Sequence, residues 1–185
     1  MSFEQFIERF GELGWKETRT ATTRNYSGLP DDNYGLIEMY CNDDDCDCRR
    51  VIFEVVAEKQ ENPIAYVSFG WEKVDFYTRW LGGNDVVTAK QLQGPILNPG
   101  SPQSKYANAA LELVKSVLQD PNFVARIKRH YKIFKQTVKG KPTQKSITKQ
   151  IPEISESLKA PIEAIFSEQT NSKTRKRHSP RRTDN

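Results

Sequence analysis

Three cysteines in one short stretch are the feature that most constrains how this chain can fold. Cys41, Cys46 and Cys48 lie within one segment of eight residues, and the sequence has no other cysteine. Thiols at this spacing beside a predicted strand are typical of metal ligands, and core packing does not easily explain them. Disulfides are not expected, because the number of cysteines is odd and the sequence points to a reducing compartment.

Zinc is the metal that these thiols predict, because structural zinc sites hold four cysteine or histidine ligands in a tetrahedron. Cys46 and Cys48 lie on the same side of the chain if it is extended, and Cys41 can return to them across the loop. We predict His130 as the fourth ligand, since His178 lies in a basic stretch that would be hard to hold in place. Such a site would clamp the last helix onto the sheet and would contribute folding free energy.

Other interpretations of these residues stay open. His130 can be a core histidine bonded to a carbonyl, or water can take the fourth position, which would make the zinc catalytic. Asp43, Asp45 and Asp47 alternate as in a calcium loop, but Cys48 occupies the position that requires glycine. A reactive thiol is opposed by the nearby aspartates and by the lack of a Cys-x-x-Cys pair.

The fold class predicted is α+β, with a small antiparallel sheet flanked by helices in a zinc-stabilised domain of residues 1–139. Runs of β-branched and aromatic residues predict the strands, and apolar residues at helical spacing predict the helices. Strands are predicted at 15–24, 34–41, 50–58 and 63–71, and helices at 2–13, 72–81, 104–119 and 121–139. Asp120 is the predicted cap of the last helix, with Pro121 at its first position.

Charge is distributed unevenly along the chain. Through Pro121 it has 12 Lys and Arg against 19 Asp and Glu, and from Asn122 onward it has 16 against 5. A basic end on an acidic body favours an anionic partner, and we predict DNA or RNA bound without sequence preference. The residues predicted to contact nucleic acid are Arg126, Arg129, Lys132, Lys135, Lys173, Arg175, Lys176, Arg177, Arg181 and Arg182. A solvated tail that keeps the chain soluble is the simpler alternative.

Residues 140–185 form a predicted basic tail whose polar composition is typical of disorder. Within it, apolar residues recur at near-helical spacing over 152–167, and Pro161 interrupts them. A short amphipathic helix that binds a protein partner is one interpretation of this segment, and transient structure without a partner is the simpler one.

Four short motifs carry a resemblance to known sequences. They are Tyr40-Cys41, Cys46-Asp47-Cys48-Arg49-Arg50, Phe69-Gly70-Trp71-Glu72 and the helix Arg129-His130-Tyr131-Lys132-x-Phe134-Lys135. The chain resembles a group of uncharacterised bacterial proteins over residues 34–135. The resemblance implies a bacterial source and a joint role for the cysteines and His130, and it implies nothing about a substrate.

The function predicted from these features is a non-catalytic zinc-containing binding or adaptor module. Its basic C-terminal region would contact nucleic acid or a nucleic-acid-associated protein complex. The alternative is a metal-dependent enzyme that uses the cysteine site or the aromatic cluster of Trp71, Phe76, Tyr77 and Trp80. A cytoplasmic location is expected, because no apolar run approaches a membrane span and the N-terminus lacks the features of a secretory signal.

Overall fold

Six strands and five helices follow one another along residues 2–140, the part of the chain that the computed structural model describes. The strands are β1 (Phe3–Gln5), β2 (Arg19–Thr22), β3 (Asn33–Cys41), β4 (Arg50–Ala57), β5 (Ala65–Gly70) and β6 (Ile96–Leu97). The helices are α1 (Phe6–Glu17), α2 (Val74–Trp80), α3 (Val86–Gln93), α4 (Ala107–Val117) and α5 (Pro121–Val138).

All strand pairs are antiparallel, and they form one sheet in the order β1-β3-β4-β5-β6. The strand β2 also pairs with β3, so that β1 and β2 share one edge of that strand. The predicted α+β class with an antiparallel sheet is therefore confirmed. The sequence predicted four of the six strands. The two that it did not predict, β1 and β6, are short and extend the sheet at its two ends.

The main hydrophobic core lies between the sheet and the helices α4 and α5. Alternate residues of β4, among them Phe53 and Val55, pack with Val114, Phe123 and Phe134 from these helices. Each large apolar side chain that is fully buried stabilises the fold by about 1.5–3 kcal/mol. The position of α5 over the sheet is thus set by burial of its apolar side, which fixes where its polar side chains lie.

The N-terminus of α5 has the local structure that the sequence predicts. The carboxylate of Asp120 accepts a hydrogen bond of 2.9 Å from the backbone N–H of Asn122, and Pro121 opens the helix. The stripe of residues predicted from helical spacing to face inward is buried, and Lys135 is buried with it. This stripe consists of Phe123, Ile127, His130, Tyr131 and Phe134.

The boundary predicted at residue 139 lies at the end of the described residues and stays a prediction. The predicted tail beyond Gly140, its helix at 152–167 and its basic residues at 173–182 all lie outside the described residues. Within the described range, no helix is both long enough and apolar enough to cross a membrane.

Candidate metal centre

Three sulfur atoms meet where β3 ends and β4 begins. The Sγ atoms of Cys41, Cys46 and Cys48 all lie within 4.8 Å of one another. Cys41 is the last residue of β3, and the other two belong to the loop of residues 42–49, here called the cysteine loop. Since tetrahedral zinc with bonds of about 2.3 Å places its sulfurs about 3.8 Å apart, the three thiols are close to the arrangement that a metal ion needs.

The backbone of the cysteine loop directs hydrogen bonds at two of these sulfurs. The N–H of Cys48 donates to the sulfur of Cys46, and the N–H of Arg50 donates to the sulfur of Cys48. Arg49, between them, has a φ of 47°, in the left-handed region that non-glycine residues rarely adopt. Backbone donors of this kind orient metal ligands and stabilise their negative charge.

The thiols are poorly solvated. Burial, together with the nearby sulfurs of Cys46 and Cys41, raises the pKa of the Cys48 thiol to about 12. Burial also raises the pKa of Cys46, as does its hydrogen bond with Cys41. A divalent cation among the sulfurs would reverse this preference for the protonated form, because metal binding displaces thiol protons.

The helix α5 holds the cysteine loop from one side. The Nζ of Lys135 donates a hydrogen bond to the backbone carbonyl of Asp43. The hydroxyl of Tyr131 donates to the carboxylate of Asp47 at 3.1 Å and accepts from the N–H of Arg49 at 3.4 Å. The predicted contact between the last helix and this loop thus exists, but Tyr131 and Lys135 make it, and His130 does not.

The aromatic cluster predicted around Trp71 supports the cysteine loop from the other side. The hydroxyl of Tyr77 donates to the carbonyl of Arg49 at 2.9 Å, and the Arg49 guanidinium lies 4.6 Å from the ring centre of Phe76. Trp71 packs edge-on against Tyr131, with ring centres 5.1 Å apart. Trp80, the remaining member of the cluster, is half-buried on α2. The contacts of the other three residues favour a structural role for the cluster.

His130 does not join the cysteines, which corrects its prediction as the fourth zinc ligand. Its Nδ1 lies 2.7 Å from the carboxylate of Glu38, and its Nε2 lies 2.8 Å from the carboxylate of Glu17. Both nitrogens are therefore engaged, so neither has a lone pair directed at a metal. Within residues 2–140, the cluster of side chains that can hold a metal ion consists of the three cysteines.

Glu17, His130 and Glu38 form a buried charged triad that joins α1, α5 and β3. Burial alone would lower the pKa of His130, but the charge of Glu38 and the hydrogen bonds of both carboxylates outweigh it and raise that pKa. Burial would raise the pKa of Glu17, yet its hydrogen bond with His130 and the charge of His130 lower it. The imidazole thus lies between two carboxylates that favour its protonated form, and Phe6 stacks on it with ring centres 4.2 Å apart.

Sequence reasoning missed Glu17 and Glu38, although one signal was present. Glu38 lies two residues from each of the buried Leu36 and Tyr40 along β3. The three side chains therefore point to the same face of the strand, the one that faces the core. A carboxylate at such a position requires a polar partner. The hydroxyl of Tyr40 donates to it at 2.6 Å, and His130 supplies the second contact.

Three of the four predicted nucleic-acid contacts on α5 are engaged within the protein. Arg126 donates to the backbone carbonyl of Glu17 at 2.9 Å, and Arg129 forms an ion pair with the Glu17 carboxylate. Lys135 is buried and bonded to the cysteine loop, which corrects its prediction as a phosphate contact. Lys132 is exposed, and the Arg129 side chain remains 51% exposed.

No protein-family model, curated protein or solved structure matches this chain. The resemblance to uncharacterised bacterial proteins therefore stays a prediction, and so do the bacterial source and the cytoplasmic location.

Proposed function

We propose that this chain is a non-catalytic binding module in which zinc fixes the cysteine loop and the basic C-terminal part contacts nucleic acid. The zinc part rests on one observation, the convergence of the sulfurs of Cys41, Cys46 and Cys48 within 4.8 Å. Thiolates favour zinc and softer ions over magnesium and calcium, which prefer oxygen ligands. The backbone donors to two of the sulfurs support the same conclusion.

A structural role for the metal is favoured by where the cysteine loop lies. Tyr131 and Lys135 tie the loop to α5, and Tyr77 ties it to α2. A metal bound to the loop would therefore fix a point where β3, β4 and these two helices meet. Structural zinc contributes its binding free energy to folding in this way.

Contact with nucleic acid is supported by charge alone. Lys128 and Lys132 are exposed along α5 and Lys139 directly after it, and the excess of positive charge rises toward the C-terminus of the chain. Such a distribution neutralises phosphates without reading base sequence, so binding should weaken steeply with salt. Arg126 and Arg129 have intramolecular partners, which reduces the contribution of α5 to nucleic-acid binding. More of the binding is then proposed to come from residues 173–182.

Two measurements test the proposal. Elemental analysis of the purified chain should give one zinc per chain, and a variant with all three cysteines changed to serine should give none. Full-length chain should bind DNA and RNA at low salt more tightly than a variant that ends at Gly140, and the difference should shrink as salt rises. Binding that is unchanged without the tail would contradict the nucleic-acid part and leave the zinc part standing.

A metal-dependent enzyme is the second candidate, because catalytic zinc sites hold three protein ligands and a water molecule. Within the described residues the metal-binding cluster likewise has three members. Activity in a screen of hydrolytic substrates that disappears on removal of the metal and returns with it would favour this candidate over a purely structural site.

A further inference from the structure

The described part of the chain offers the metal three ligands of one kind. Within residues 2–140 these are the thiols of Cys41, Cys46 and Cys48. His130, the one histidine in this range, has a carboxylate on each ring nitrogen. A tetrahedral metal bound to the thiols would therefore have a fourth position that none of these side chains takes.

Burial indicates from which side a fourth ligand would approach. Cys41 and Cys48 are 0% and 1% exposed, whereas Cys46 is partly exposed. The residues before it on the loop, Asp44 and Asp45, are exposed as well. A fourth ligand would therefore approach a metal among the three sulfurs from the side of Cys46.

The charges around the thiols favour a neutral fourth ligand. Three thiolates around a divalent ion leave one net negative charge. The guanidinium of Arg49 is already paired with Asp47 and Glu72. Arg50 has a buried Nε with no hydrogen-bond partner among the described residues, and the sulfur of Cys48 interacts with its charge.

Arg50 is therefore one cation that can balance one negative charge, but not two. A fourth thiolate or a carboxylate would add a second negative charge beside the exposed aspartates of the loop, Asp43, Asp44 and Asp45. Water and neutral nitrogen donors add none, and imidazole is the neutral side chain that proteins use for zinc, so it can displace a bound water without adding charge.

We infer that the metal at Cys41, Cys46 and Cys48 keeps an exchangeable fourth position that takes an imidazole from outside residues 2–140. The inference rests on the proposed metal site and goes beyond it, because the site would then also be a point of attachment. The imidazole can come from His178, the other histidine of the chain, or from a histidine of a partner protein.

Cobalt substitution of the full-length chain tests the inference. Cobalt(II) reports its ligand field in visible d–d bands and its thiolates in a near-ultraviolet charge-transfer band. Titration with free imidazole should shift the d–d bands of any protein whose fourth position does not already hold an imidazole. The charge-transfer band should stay at full intensity, because imidazole enters and no sulfur leaves. Wild type and His178→Ala are titrated in parallel.

The two proteins distinguish the sources of the imidazole. If His178 supplies it, the spectrum of His178→Ala differs from that of wild type before titration, and free imidazole restores the wild-type bands. If His178 does not supply it, both proteins start with the same spectrum and respond to imidazole alike, which leaves a histidine of a partner protein as the source. Either result supports the exchangeable position.

Bound cobalt whose d–d bands do not respond to imidazole in either protein would overturn the inference, since the fourth position would then be closed. A third variant, His130→Gln, shows whether His130 occupies the fourth position. The substitution would change the d–d bands only if His130 were bound to the metal. Loss of the charge-transfer band on titration would also count against the inference, as imidazole would be removing the metal. Failure of the proposed function is a different result: wild type that takes up no stoichiometric metal.

Discussion

The hydroxyl of Tyr131 on α5 donates a hydrogen bond of 3.1 Å to the carboxylate of Asp47, between two of the three cysteines. The same hydroxyl accepts a hydrogen bond of 3.4 Å from the backbone N–H of Arg49. A side chain that is not a metal ligand thus sets the position of the loop that carries Cys46 and Cys48.

Replacing Tyr131 with Phe should lower stability and weaken metal binding together. Loss of these hydrogen bonds is expected to reduce the free energy of unfolding by about 0.5–1.5 kcal/mol. Zinc affinity should fall by up to about 10-fold, because the loop would be held less firmly around the metal. Urea unfolding of the metal-free protein and a competition titration with a zinc indicator measure the two effects.

Tyr66→Phe is the matched control for this prediction. The Tyr66 hydroxyl donates to the carboxylate of Glu54 at 2.9 Å, and neither residue belongs to the cysteine loop. This variant should lose comparable stability and keep its zinc affinity. An equal loss of zinc affinity in both variants would mean that Tyr131 acts on stability alone.

Removal of the metal should destabilise the wild type and leave a cysteine variant unaffected. Free metal at 100 times its dissociation constant stabilises a protein by about 2.7 kcal/mol, and a chelator removes that contribution. Cys48→Ser should be insensitive to the chelator, because a buried ligand is lost. Thermal unfolding followed by circular dichroism, with and without chelator, gives the comparison, and a chelator effect of the same size in Cys48→Ser would contradict it.

The charged triad should make stability depend on pH. The pKa of His130 is raised in the folded state, so its stabilising effect is complete below its ordinary value of 6.5 and is lost as pH rises through the folded value. The pKa of Glu17 is lowered, so its effect is present above its ordinary value of 4.5 and is lost as pH falls through the folded value. The triad should therefore stabilise the fold most between pH 4.5 and 6.5.

Replacing His130 with Leu tests this dependence. Near pH 6 the variant should lose about 3–5 kcal/mol, because the buried carboxylate of Glu38 would lose its cation and Glu17 would keep only its ion pair with Arg129. The decline in stability that is expected of the wild type above pH 6.5 should be absent. Denaturant unfolding across this range measures both effects.

Ile127→Val on the same helix is a control for loss of volume without loss of charge. Ile127 is fully buried, so its truncation should cost about 0.5–1.5 kcal/mol and preserve the pH profile of the wild type. If His130→Leu also preserved that profile, the imidazole would not be the titrating group.

Two lysines on α5 should separate the loop contact from nucleic-acid binding. Lys132 is exposed, whereas Lys135 is buried and donates to the carbonyl of Asp43. Lys132→Gln should weaken nucleic-acid binding at low salt and reduce its salt dependence by about one phosphate contact, without loss of stability. Lys135→Gln should lower stability and zinc affinity and leave nucleic-acid binding unchanged.

Binding isotherms at several salt concentrations, together with urea unfolding, measure both variants. Weakened nucleic-acid binding in Lys135→Gln, without loss of stability or zinc affinity, would restore Lys135 to the binding surface. Unchanged binding in Lys132→Gln would remove α5 from the proposed interface.

The long elements of the fold could be predicted from sequence because their signals are local. Runs of β-branched and aromatic residues predicted β3, β4 and β5, and the Asp120-Pro121 start predicted the beginning of α5. The short strands β1 and β6 were missed, because three or two residues carry too little pattern to reveal a pairing partner. Phe3 pairs with Cys41, and that relation depends on the folded sheet, not on neighbouring residues.

The candidate site could be predicted only in part, for the same reason. The spacing of the cysteines is local, and the structure brings their sulfurs together. The partners of His130 are distant in sequence: Glu38 and Glu17 lie 92 and 113 residues away. Because these partners could not be identified from the sequence, His130 was predicted to be the missing zinc ligand.

Cys41 and Cys48 lie close together at the loop end of the β3–β4 hairpin. Their proximity has a consequence for how the two strands align. In the observed pairing Met39 lies opposite Ile52, and a shift by one residue would turn every side chain of β3 to the opposite face of the sheet. That shift would turn the thiol of Cys41 away from those of the loop. A bound ion would then favour the observed register of the hairpin, because only this register brings the three thiols together. Metal binding would thus destabilise hairpins whose strands are misaligned.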